Sequence, residues 1–235
     1  MSQSGLPPLT GAVRDLAHEV VSALRGGGHL AGSTALADDE LGLAAVRVLG
    51  ADVLLPATLA GYSLSPERVA AFRTATLAFP AAPGAAPVTA WSHWGMRRAL
   101  RTLSGPDEDP ALPDTGEPGA SWLHSLPWQR FTHQLAVLGA LALPGLPSEV
   151  ATTAALRPVD LARGFVRAVR RRDWLQAAGA ARWLALLDGV PDTLGLDTGL
   201  DFVLLMSDDD PRVALQAHAA RHIRDERLLD EGLRA

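Results

Sequence analysis

The residues best suited to chemistry sit near the end of the chain. His218, His222 and Glu226 fall at i, i+4 and i+8 of a helical register, so all three project from one face. Two imidazoles one turn apart chelate Zn or Fe, and a carboxylate one turn further on completes a three-ligand set. No HExxH glutamate accompanies them, and no further ligand is identifiable elsewhere. The competing reading is a polar helix face whose histidines favour the helix C-terminus. Ser63 offers a second chemistry. An apolar run leads into Gly61-Tyr62-Ser63-Leu64-Ser65, as in the strand–Ser–helix elbow of a serine hydrolase. Ser65 stands where that turn needs a small Gly, so the hydrolase would be degenerate. The carboxylates Asp208, Asp209 and Asp210 are followed only by His218 and His222 within the next helix, whereas a triad histidine comes from a later loop.

A third constellation binds rather than reacts. Arg163, Arg167, Arg170 and Arg171 cluster on one side of a helix, opposite Leu161, Phe165, Ala168 and Val169. Four guanidinium groups on one face seek anions and grip carboxylate or phosphate through paired donors. A solvated helix face is the alternative. Trp91 and Trp94, three apart and hence on one face, are candidate neighbours of this surface, with core packing as their other use. Residues 27–34 have the spacing of a phosphate-binding loop, but Ser33 replaces the essential Lys and a helix rather than a strand precedes it.

These residues need helices to hold them. Helical spacing covers residues 11–25, a helix capped by Asp38 or Asp39 runs to about Leu49, and Ser65-Pro66 opens one over 65–79. Further helices are expected over 88–103, 127–143, 158–172, 173–187 and from Asp210-Pro211 towards Asp225. The run 200–207, LDFVLLMS, reads equally as buried strand or helix. Residues 104–119 carry four prolines, three glycines and five acidic residues without a basic one, and form no regular element. They separate an N-terminal helical part, 1–103, from a C-terminal part, 120–235, which together could still form one domain.

Composition supports the helices. The chain of 235 residues holds 41 Ala and 39 Leu against 16 Val and a single Ile, a choice that favours helix over strand. It has no Lys, Cys or Asn, a bias expected of a GC-rich bacterial genome, and this excludes lysine catalysis, thiolate chemistry and disulfides. The formal charge of −5 equals that of residues 104–119 alone. Nucleic acid is therefore a poor partner, since no wide basic surface appears. No secretory signal opens the chain, and its longest uncharged run is broken by prolines, so a cytoplasmic protein without a membrane role is expected.

Two stretches resemble helical-repeat proteins. FVRAVRRRDWLQAAGAARWLALL, residues 165–187, resembles a tetratricopeptide helix–turn–helix, with Asp173-Trp174 at the turn and Ala178 and Ala181 at close-packing positions. DDDPRVALQAHAARHI, residues 208–223, resembles the opening of a second HEAT-type helix. The resemblance implies packed antiparallel helices, although no repeat period runs through the rest of the chain. The expectation is an all-α protein, an antiparallel helical bundle or short irregular α-solenoid, with a small-sheet α/β fold as the alternative. Its expected role is that of a non-catalytic accessory subunit, without cofactor, binding a protein or acidic peptide through the Arg face. A metal-dependent enzyme using His218 and His222, or a degenerate serine hydrolase, is the alternative.

Overall fold

A computed structural model describes residues 8–26, 39–104 and 116–234. Most of the acidic segment and the whole of residues 27–34 lie outside them. Every regular element among the described residues is helical, and no strand is present. The fold is all-α.

The N-terminal half begins with α1 (Pro8–Gly26), which buries Val13, Leu16, Ala17, Val20 and Val21 along one stripe. Asp39 opens α2 (Glu40–Leu49) by accepting the Leu41 amide, and Gly50 closes it at φ 62°. A 3-10 segment (Gly50–Leu54) and one turn, α3 (Leu55–Thr58), carry the chain onwards, buried almost throughout. The stretch Glu40–Thr58 is long and apolar enough to cross a membrane by length and composition, yet more than half of it is buried inside the protein. That is how a core helix passes the same test. Ser65 caps α4 (Pro66–Ala78) through the Arg68 amide, with Pro66 at the first position. Next comes α5 (Pro87–Ser104).

In the second half, α6 (Trp128–Val137) is shorter than the apolar pattern over 127–143 suggests and passes into a 3-10 turn, Gly139–Leu141. The reason is tertiary. Trp183 donates its indole N–H to the Leu135 carbonyl at 2.7 Å, taking the acceptor that a continuing helix offers to residue 139. Then come α7 (Glu149–Ala155), α8 (Pro158–Arg170) and α9 (Trp174–Leu186). Residues 200–206 are helix, within α10 (Leu196–Met206) with Ser207 as its C-cap, and the last element is α11 (Pro211–Arg234).

The centre of the molecule is α9, which packs against α6, α8, α10 and α11; α11 in turn lies against α1. Small residues make this possible, since Ala177, Ala178, Gly179, Ala180 and Ala181 are all buried in α9. The main apolar cluster draws Ala17, Val20, Leu55 and Trp91 together with residues of α6 to α11, so its members come from both sides of the acidic segment. A second cluster lies within the N-terminal half, around Val46, Val53, Leu54, Phe72 and Met96.

Candidate functional site

The α8 helix builds the site because its two faces differ in composition. Leu161, Ala162, Gly164, Phe165 and Ala168 are buried, which turns Arg163, Val166, Arg167 and Arg170 outwards at helical spacing. Arg171 ends the helix, and Arg172 takes a left-handed backbone at φ 57°. The Asp173 side chain then caps α9 by accepting the Gln176 amide at 3.3 Å. The chain therefore reverses directly beneath Arg170 and Arg171.

Trp128, at the first position of α6, completes the surface. The guanidinium carbons of Arg163 and Arg167 stand 5.5 and 5.7 Å from its ring centroid, within reach of cation–π attraction. The four arginines and Trp128 border an open groove of about 700 Å³ whose apolar lining includes Val159, Val166 and Leu194. Val159 and Val166 keep 54% and 37% of their surface exposed, so the groove is uncovered.

Electrostatics set this surface apart. Many of the protein's arginines have a carboxylate: Arg157 holds Asp160 at 2.6 Å, Arg212 holds Asp210 at 2.8 Å, and Arg224 and Arg227 hold Asp197 and Asp188 at 2.5 Å. Arg68 and Arg182 pair with Glu19 and Asp52, each at 2.6 Å. Among the described residues, no carboxylate lies within ion-pair distance of Arg163, Arg167, Arg170 or Arg171. Asp160, the acidic residue of the same helix, is held by Arg157 through two contacts to its Oδ2. Among the described residues, then, nothing compensates the four positive charges that the groove presents beside apolar side chains.

Trp91 and Trp94 are elsewhere. They pack edge to face at 5.1 Å inside the main cluster, 0% and 7% exposed, and the Trp91 N–H donates to the Gly119 carbonyl. Burial removes them from the contact surface. Trp128, another of the tryptophans that flank the acidic segment in the sequence, stands beside the arginines instead, and its proximity to α8 arises from helix packing.

The C-terminal trio does not converge. Eight residues of helix separate His218 from Glu226 by about 12 Å along the axis, and the described residues contain no group of three side chains able to hold a metal. His222 instead faces Glu226 at 3.2 Å. Burial holds the His218 pKa below its usual value, and Arg25 and Arg221 add to the effect; those cations also oppose a metal ion there. The Ser63 elbow lacks its strand, since the apolar run before it forms the 3-10 segment and α3, and Ser63 lies in an exposed loop. The run expected to deliver the acid is helix α10. Compared with protein-family models, curated proteins and solved structures, the chain matches none of them.

Proposed function

We propose that this chain is a non-catalytic interaction subunit that grips an acidic segment of a protein partner in the α8–Trp128 groove. The observation that carries the reading is the set of four exposed arginines with no carboxylate partner among the described residues, in a protein whose other arginines are so often paired. Guanidinium forks match carboxylates in geometry as well as charge. The apolar strip of Val159, Val166 and Leu194 favours a segment in which acidic and apolar side chains alternate. A nucleic acid fits less well, because the positive surface is one helix face on a chain of net charge −5. The cytoplasm is the compartment we propose, consistent with a chain that carries no cysteine.

The test is fluorescence anisotropy with a labelled peptide of alternating Glu and Leu, with a twelve-nucleotide single-stranded DNA and a Lys–Leu peptide in parallel. The Glu–Leu peptide should bind, weaken as salt rises, and lose at least about tenfold in affinity when Arg167→Glu and Arg171→Glu are combined. Both positions are exposed, so the variant should unfold at the wild-type temperature. Equal affinity in wild type and variant, or tighter binding of the DNA, would overturn the proposal.

A further inference from the structure

A second concavity lies away from the arginine groove, between the N-terminal and C-terminal halves. It is a cleft of about 290 Å³ with walls from α2, the 3-10 segment after it, α5, α6, and the first turns of α9 and α11. Its rim consists of Val48, Val137 and Leu175, which keep 58%, 57% and 39% of their surface exposed. Its interior is aliphatic, with Leu141 and Leu215 fully buried, and no aromatic ring but His133 contributes. One polar feature interrupts these walls. Asp52, 3% exposed, accepts the Gln216 amide at 2.5 Å and Arg182 at 2.6 Å, and Arg182 also donates to Gln216 at 3.1 Å.

We infer that this cleft binds a small, uncharged aliphatic molecule ending in a hydroxyl or amide. Size sets the first limit. A cavity of roughly 150 Å³ accommodates benzene, so this one suits about ten to twelve carbon atoms. Charge sets the second limit. Asp52 is neutralised by Arg182, and Arg212 at the edge holds Asp210 through two bonds, so at the floor an ionised head finds its counter-charge already taken; Asp173, at the exposed mouth, accepts the Gln176 amide. Losing its hydration there without a partner would be costly. With the His133 imidazole as the single ring in the lining, the cleft offers no pair of rings to sandwich a nucleobase or other planar group. The polar floor decides the end group. Asp52 and Gln216 oxygens each retain a lone pair after their internal bonds, and the Ser92 hydroxyl, which accepts from Arg47, has its own proton to give. A hydroxyl or amide head satisfies such groups while its chain covers the aliphatic walls.

The experiment is a methyl NMR titration of the full chain with 1-decanol, with decanoate and decylammonium as charged counterparts. Decanol should produce saturable shifts confined to Val48, Val137, Leu141, Leu175 and Leu215, and both charged chains should bind at least tenfold more weakly. Combining Val48→Trp with Val137→Trp closes the mouth from exposed positions and should weaken decanol at least tenfold. Leu175→Asp, which places a charge on the rim, should do the same if the tryptophan variant fails to fold. Arg167→Glu with Arg171→Glu should leave decanol binding unchanged, so this site and the arginine groove stand or fall separately. Shifts spread over the whole surface, equal binding of a charged chain, or full affinity in the rim variants would overturn the inference.

Discussion

His218 shows how a residue that spacing marks for chemistry can acquire another role in the fold. It is partly buried on α11 with Arg25 of α1 and Arg221 beside it, and burial first, then these cations, lowers its pKa. His93 behaves alike: burial lowers its pKa, the Thr76 carbonyl at 3.0 Å partly offsets this, and Arg47 and Arg97 lower it further. The sign of the consequence follows from linkage. Well above pH ~6.5 both histidines are neutral in folded and unfolded chains alike, and stability is at its full value. As pH falls through that value the unfolded chain takes up protons first, so stability is lost until the folded-state pKa is passed. Thermal unfolding should therefore occur at lower temperature at pH 5 than at pH 7.5. His218→Gln should reduce this difference, and a variant as pH-sensitive as the wild type would contradict it. The arginine face was legible residue by residue, because helical periodicity alone places positions 163, 167 and 170 together. The tryptophans were not, since the burial of Trp91 and the placement of half-buried Trp128 beside α8 depend on neighbours distant in sequence.

At the scale of elements, caps were the most legible feature. Ser65 caps the helix that follows as its type and position indicate, Asp39 is the one of two candidate acids that does so, and Asp173, expected at a turn, caps α9. Helix ends governed by tertiary bonds were not, as the diversion of the Leu135 carbonyl by Trp183 shows. Nor was the closeness of α9 to α6. A Cβ on Gly179 would stand 2.5 Å from the Ala136 carbonyl oxygen and 3.0 Å from its Cα, so backbone faces backbone and neither helix can yield locally. Gly179→Ala should therefore destabilise the protein by about 1–3 kcal/mol through overpacking. By contrast, Gly11 in α1 has nothing within 4 Å of the same point, and Gly11→Ala should stabilise by about 0.5–1 kcal/mol through helix propensity. Urea unfolding of the two variants checks both signs at once, and a neutral Gly179→Ala would refute the close approach.

The molecule as a whole is tied together at one polar point. Asp52 comes from the N-terminal half, Arg182 from the centre of α9 and Gln216 from α11, and the ion pair is almost wholly buried, 0% exposed at Arg182 and 4% at the Asp52 side chain. A buried pair gains little over apolar residues of equal volume, but breaking it strands a charge. Arg182→Leu should accordingly cost about 3–5 kcal/mol, and adding Asp52→Leu should recover much of that loss. Denaturant unfolding of both single variants and the double variant reads this as a coupling, and additive losses would dismiss it. Neither residue stands out in the sequence, where Asp52 is one acid in an apolar run and Arg182 one arginine among alanines. Read alone, the sequence showed that most of the chain favours helix, where most helices begin and which helix carries an arginine face, while leaving residues 200–207 open between strand and helix. Those properties depend on contacts within a few turns of one chain segment. Three-dimensional packing added that these arginines have no carboxylate partner among the described residues, that Trp128 joins them, and that a cleft opens above Asp52. Each of these depends on which distant side chains meet, and packing rather than periodicity selects them.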